Sequence, residues 1–561
     1  MKKRIVALFL ASVLAASSAL MMASAEAPAV SHDEELEIEI YDVAANYHGI
    51  QPGWYGHLIK EKFNLIPNII APQVSGDGNA LYQTRTASGN LGDMLILDNA
   101  DMLECIDVGL VADLTEDIQN YPNLMRYWEQ IELFNADLGG IYAIPAEMNT
   151  NGPTEFVSLT VGVAPRIPWD FYTEIGRPEF KTTDDLLNAL KAMQDAHPTN
   201  EAGDPAYGIT MWKDWDGTSI ENVNQLTKWY GQEVNGSVLI GYDNTITPLT
   251  DKEGAYYKML KFFYQANQLG IVDPDSATQD WNAACDKMRT KRTYLVWNNW
   301  MQGFTNSPEI GEAGANYTAI PIEDMMIFQA SDPYYGNGRV FGVGSGVEGE
   351  EKARILEYLD WMASPEGLTV HHAGTEGLIY TVKEDGTYEL TEDGYNRFGA
   401  DIPVPEEQGG GTWNDGNEKI NMWLAGASDL NPVTGEPYST DLWAASIEKN
   451  NTKTQKEWVE MFGAEDEVQY FKDNGKLGTV AFVNKALAID TTDIALVRGQ
   501  CGQVVKDASW RAVFAADEAE FEAIWDDMCA QLEGFGWDQL VEFDTEKYQV
   551  VIETRKAAAA E

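Results

Sequence analysis

The residues of this 561-residue chain best suited to chemistry are tryptophans set beside amides and carboxylates, among 17 tryptophans in all. Three clusters are sharpest: Trp212-Lys213-Asp214-Trp215-Asp216, Trp297-Asn298-Asn299-Trp300 and Trp413-Asn414-Asp415. A flat aromatic face covers the C–H face of a sugar ring, while Asn and Asp side chains meet its ring of hydroxyls. Each hydroxyl left unpaired in a closed cleft costs roughly 1–3 kcal/mol, so polar placement sets specificity. Asn46-Tyr47, Asp98-Asn99, Asn149, Asn151 and the Tyr334-Tyr335 pair complete the candidate set. Every tryptophan has a competing reading as a packed core ring, and Asp98-Asn99 equally suits an ordinary turn or helix cap.

Other motifs point away from catalysis by a recognisable set. Gly344-Ser345-Gly346-Val347-Glu348-Gly349 fits G-x-G-x-x-G, but Glu348, Glu350 and Glu351 put negative charge where a pyrophosphate would sit. A tight turn feeding a helix is the better reading. Asp273-Pro274-Asp275-Ser276 hints at a calcium loop, yet Ala277 and Thr278 stand where that loop needs Asp or Asn and Gly. His371-His372 has no partner at metal-ligand spacing, and HExxH, CxxC and G-x-S-x-G are all absent. No metal and no organic cofactor is indicated.

The elements that must hold these residues alternate between strand and helix, which gives an α/β class. Leu36-Glu37-Ile38-Glu39-Ile40 alternates apolar and acidic residues, the pattern of a strand with one covered face. Met94 to Leu97 reads as a short buried strand ending at Asp98-Asn99, and Thr293 to Val296 as another ending at the second tryptophan cluster. Polar residues at the carboxyl ends of such strands are where an open α/β sheet places a ligand. Thr182 with Asp185 resembles a capping box ahead of Leu186, Leu187, Leu190 and Met193. Helices are also predicted over 256–269, 350–362 and a stretch carrying Phe521, Ile524, Met528 and Leu532. Lys556 to Glu561 reads as a frayed tail.

Location and charge narrow the class further. Lys2-Lys3-Arg4, the apolar run Ile5 to Met22 and Ala23-Ser24-Ala25 read as a cleaved signal peptide ending at Ala25, with an uncleaved anchor as the alternative. The net charge is −51. Such a field repels nucleic acid and anionic membrane, and favours a neutral or cationic ligand where it does more than aid solubility. About 536 residues beyond Ala25 are too many for one core, so two or more lobes are expected. Four cysteines allow three pairings. Cys501 and Cys529 lie close enough in sequence to pair, whereas Cys105 and Cys285 are expected as buried free thiols.

Several phrases share an order along the chain. They run from Gly92-Asp93-Met94-Leu95-Ile96-Leu97 through Gly109-Leu110-Val111-Ala112-Asp113-Leu114 to Gly139-Gly140-Ile141-Tyr142-Ala143-Ile144-Pro145. Pro168-Trp169-Asp170, Lys181-Thr182-Thr183-Asp184-Asp185-Leu186, Leu269-Gly270-Ile271-Val272-Asp273-Pro274-Asp275, Trp361 to Gly367 and Gly374-Thr375-Glu376-Gly377 follow. In this order they resemble the carbohydrate-type (family 1) extracellular solute-binding proteins that feed ABC transporters. The resemblance implies a type 2 periplasmic-binding-protein fold, with two α/β lobes joined by crossing hinge strands. Carried over, lobe one takes 36–148 plus 315–365 and lobe two takes 149–314 plus 366–547, leaving 548–561 as a C-terminal strand or tail. Hinge segments are expected at 144–151 and 317–321. The resemblance further implies a monomer outside the cytoplasm that hands an oligosaccharide to an ABC permease and performs no chemistry on it. No cysteine precedes Cys105, so the lipid anchor common in that family is not expected. A secreted glycoside hydrolase is the competing class, since any acidic chain offers the two carboxylates it needs. A receptor for peptides or other non-sugar solutes is the second alternative.

Overall fold

The computed structural model describes residues 30–75, 78–398, 402–483, 485 and 487–560. The Ala25 cleavage site therefore lies outside the described residues. Leu36–Asp42 forms the predicted strand, its apolar side buried, and pairs in parallel with Leu65–Ile70 and Met94–Asp98. Arg339–Val343 joins antiparallel to Met94–Asp98, and Ile144–Pro145 closes the order of a six-stranded sheet. Asp42, Asp98 and Arg339 thus share one edge, because Arg339 is in register with Asp98. This sheet is the heart of the first lobe, with apolar clusters on both faces.

The second lobe is built around Val163–Pro168, flanked antiparallel by Val296–Asn298 and Tyr317–Ala319. The strand predicted to end at Val296 instead begins there, so Trp297 and Asn298 are strand residues. Ile327–Ala330 pairs in parallel with Leu477–Val480 beside it. The 183–196 helix starts at the predicted box: the Thr182 hydroxyl and the Asp185 carboxylate each satisfy the other's backbone amide. Ala255–Gln268 and Gly349–Met362 realise two further predicted helices.

The two cores divide the chain differently from the expected boundaries. Tyr317, Ile320, Ile322 and Ile327 pack with Trp297 and Trp458, which places 315–330 in the second lobe. Leu368, Ile379, Ile402, Trp413 and Trp443 pack with Ile38 and Tyr55, which places 366–443 in the first. The chain passes between lobes near 149–162, 331–338 and 444–452 rather than at 317–321, since Tyr317–Ala319 is a buried edge strand of the lobe-two sheet. At the first two passages Asp332 donates its N–H to the Glu155 carbonyl and accepts the Val157 N–H, at 2.8 and 2.9 Å.

Three helices, Thr492–Val513, Glu518–Phe535 and Trp537–Ala558, finish the second lobe. The segment expected as a strand or tail is thus helical through Ala558. Ile552 seals Val238 and Ile240 of a three-stranded meander, and Arg555 pairs with Glu233 at 2.6 Å. All four cysteines are free, so Cys501 and Cys529 do not pair; Cys105 and Cys285 are buried thiols.

Candidate functional site

On lobe two, the turn after Val296–Asn298 carries an aromatic cluster of graded exposure. Trp212 and Trp297 are fully buried and stacked, with centroids 5.3 Å apart and planes within 4°. Trp281 packs on Trp212 at 4.7 Å and on Trp215 at 4.6 Å, and Trp300 lies 5.3 Å from Trp281. Trp215 and Trp300 are 36% and 47% exposed, large for rings held by so many neighbours. Exposed, rigid aromatic faces of this kind are suited to stacking on a sugar ring.

Polar groups hold that turn in place. Gln225 Oε1 accepts from Trp297 Nε1 at 2.6 Å and from Asn298 Nδ2 at 3.0 Å. Asn299 donates its side-chain amide to Thr160 Oγ1 at 3.2 Å and its backbone N–H to the Gly162 carbonyl at 3.0 Å. Thr160 and Gly162 lie where the chain enters lobe two, so this turn is tied to that passage. The fully buried Arg166 donates to the Trp297 and Val161 carbonyls and to Glu467 at 2.6 Å. Its Nε lacks a hydrogen-bond partner among the described residues, while the other bonds let a buried cation be tolerated.

On lobe one the sheet edge carrying Asp42, Asp98 and Arg339 is charged. Asp42 is fully buried; Oδ1 accepts the Ala44 N–H at 2.7 Å, and Oδ2 has no hydrogen-bond partner among the described residues. Burial pushes its carboxyl up to about 8, against the opposing pull of Ala44 and Arg339. Glu147 sits at φ +56°, a backbone region costly for a residue with a side chain, and its amide is held by the Trp423 carbonyl at 3.0 Å. Burial also raises the Glu147 carboxyl, while Arg339 and Asn337 oppose the rise. Arg339 Nε lies 3.4 Å from Asp98. Asp98 is the exposed last residue of its strand and Asn99 opens the Asn99–Asp107 helix, so the expected turn is a strand-to-helix junction.

The remaining sequence-predicted residues are placed as follows. Asn46 donates to the Glu418 carbonyl and Tyr47 lies under Lys419, both at the first strand's exit. Asn149 is buried and accepts the Asn151 N–H, while the Asn151 amide donates to Ser428; the pair straps the first passage between lobes. Tyr334 and Tyr335 pack edge to face in the second passage, each 8% exposed. Asp214 is exposed beside Trp215, whereas Asp216 caps the next helix through the Glu221 N–H and accepts from Trp510 Nε1 at 2.6 Å. Asp216 is thereby a structural carboxylate.

The third cluster leaves the site. Trp413 is a core ring of lobe one, stacked on Trp54 at 4.5 Å, and Asp415 closes a capping box with Thr412 around Asn414. The stack is so close that a Cβ on Gly416 would meet Trp54 Nε1 at 1.9 Å. Trp212 and Trp297 have no exposed surface either and act by supporting Trp215 and Trp300. His371 and His372 are packed and kept neutral by burial, at about 3 and about 4, with Tyr55 and the Ala425 carbonyl as partners. Asp273 pairs with the buried Lys287 at 2.6 Å, which explains the DPDS turn without calcium. Among the described residues no group of three or more His, Cys, Asp or Glu side chains is arranged to hold a metal.

Sequence reasoning missed Trp281, Asp42, Glu147, Arg339 and Trp423. Trp281 follows Asp280, which caps its helix by accepting the Ala283 N–H; that Asp-Trp pair was available as a signal. Nothing local marked the other four, since pairing between distant segments creates their setting.

A family model described as bacterial extracellular solute-binding protein matches residues 67–369, just over half of the chain. The fructooligosaccharide ABC transporter substrate-binding protein FusA of Streptococcus pneumoniae is 24% identical over 249 residues, covering 42% of this chain and 44% of that relative. In sequence the match therefore spans less than half of the relative's length. In three dimensions FusA in complex with kestose superposes with a TM-score of 0.61 at 15% identity, over 92% of this chain and 100% of that one. An HMO-binding, ABC-transporter-associated solute-binding protein of Bifidobacterium longum infantis gives 0.56 at 14%, over 92% and 99%. These structures share the periplasmic-binding-protein fold with this chain. Among the described residues no helix is long and apolar enough to cross a membrane.

Proposed function

This chain belongs to the bacterial extracellular solute-binding protein family, and from that premise we propose that it captures an oligosaccharide between its two lobes and passes it intact to an ABC permease. One observation supports the reading: the Trp215–Trp281–Trp300 cluster keeps two ring faces exposed on lobe two, with Asn298 and Asn299 beside them. An ordinary core would bury those faces. The complexes of relatives with sugars, kestose among them, agree with the ligand class. The charged edge of lobe one supplies directional groups opposite the aromatic face, and a ligand touching both favours the closed state. The chain then acts as a monomer outside the cytoplasm and breaks no glycosidic bond.

A thermal-shift and tryptophan-fluorescence screen over plant and host oligosaccharides tests this. A cognate sugar binds at about micromolar strength, roughly −8 kcal/mol. At a hundredfold excess over Kd it adds about 2.7 kcal/mol of stability. Chromatography of the incubated sugar returns it unaltered. Peptides shifting both signals while glycans shift neither would overturn the ligand class, and cleaved product would overturn the receptor.

A further inference from the structure

The geometry points to an acidic guest: a glycan whose carboxylate or sulfate oxyanion seats where Arg339, Lys485 and Lys547 meet. This rests on the sugar reading and adds the charge of the ligand to it. A cavity of about 400 Å³ opens between Asp98–Ala100 and Asn337–Arg339 of lobe one and Lys485, Leu487, Lys547 and Tyr548 of the chain beyond 480. Three of its four charged wall residues are basic, in a chain where 89 acids outnumber 38 bases. A wall drawn from this composition without selection would hold about one base for every two acids. In this wall the charge balance of the chain is reversed.

The local pairing leaves cationic capacity there. Arg339 Nε lies 3.4 Å from Asp98 and makes no hydrogen bond among the described residues. Lys547 lies 3.6 Å from Asp490, but Asp490 is already held on both oxygens by Arg498, at 2.5 and 3.1 Å. Lys485 has no carboxylate within 4.0 Å among the described residues. Asp98 stands at the N-cap of the Asn99–Asp107 helix yet makes no side-chain cap bond; it turns to Arg339 instead. The positive end of that helix therefore adds to the same wall. Asp42 and Glu147 also interact electrostatically with Arg339, and burial raises both carboxyls. The net charge of −51 does not contradict this, because at physiological salt its reach is about 8 Å while the wall acts at contact.

Isothermal titration of the full chain with matched pairs decides the matter. One pair is a galacturonate trisaccharide and its methyl ester, identical in skeleton and differing in charge. Sulfated and sialylated oligosaccharides, each with its uncharged parent, tell one source of oxyanion from another. Tighter binding of the charged member by tenfold or more in at least one pair is expected, with Lys485→Gln removing most of that preference while the neutral members bind as before. Neutral members binding as tightly as the charged ones throughout would overturn the inference and leave the sugar reading standing. Binding by no glycan of either kind would overturn both. A second readout needs no sugar: 20 mM-scale sulfate, against chloride at equal ionic strength, should raise the unfolding midpoint more in the parent than in Lys485→Gln. Equal shifts in the two would count against an oxyanion seat.

Discussion

Two tryptophan clusters of this molecule start from similar sequence material and end in opposite states. In lobe one Trp413 stacks on Trp54, and the Trp54 indole N–H donates to the Trp413 carbonyl at 3.1 Å, so the pair is closed on itself. In lobe two the stack of Trp212 on Trp297 continues outward through Trp281 to Trp215 and Trp300, whose faces stay open. Tryptophan beside Asn or Asp therefore does not specify a ligand surface. What specifies it is whether another layer covers the rings, and that depends on where in the lobe the segment lands.

The sharpest way to break this contrast is Trp413→Ala. Loss of a large buried ring costs about 3–5 kcal/mol, and denaturant unfolding should show it while the Kd for a cognate sugar holds within about twofold. Next in size is a pH effect confined to the charged edge of lobe one. Native Asp42 binds its proton more tightly than the unfolded chain does, since its carboxyl stands at about 8 against 3.8. Native stability is therefore greatest below about pH 4 for this group and falls as pH rises towards 8. Asp42→Asn should flatten that slope and exceed the parent in stability at pH 9; parallel curves would show that Asp42 does not drive it. Trp300→Ala or Trp215→Ala should weaken sugar binding about tenfold, near 1.4 kcal/mol, with unfolding changed by less than about 1 kcal/mol. Trp300→Phe is the mildest, keeping a flat face and losing under about 1 kcal/mol of binding; a loss as large as that of Trp300→Ala would mean that the indole N–H, not the face, matters.

What the sequence disclosed follows the range of the forces involved. The strand at Leu36, the box at Thr182 and the helices over 255–268 and 349–362 are set by neighbours within a turn or two, and they appear nearly as read. The lobe boundaries were misread because membership is decided by packing: Tyr317 and Leu368 carry no local mark of the core they join. The exposed pair Trp215 and Trp300 was visible as composition, but the burial of Trp413 was not, because its cover comes from Trp54, far off in sequence. Arg339 and Asp42 meet through a strand register that no short window contains.

The closing helix Trp537–Ala558 has a practical bearing on any such measurement. Ile552 and Arg555 cap the meander through Val238, Ile240 and Glu233, and Arg555 also lies over Phe328. Trimming the last two turns would uncover that hairpin and loosen the scaffold behind Lys547. A purification handle or surface tether pulling on this end would strain the same joint.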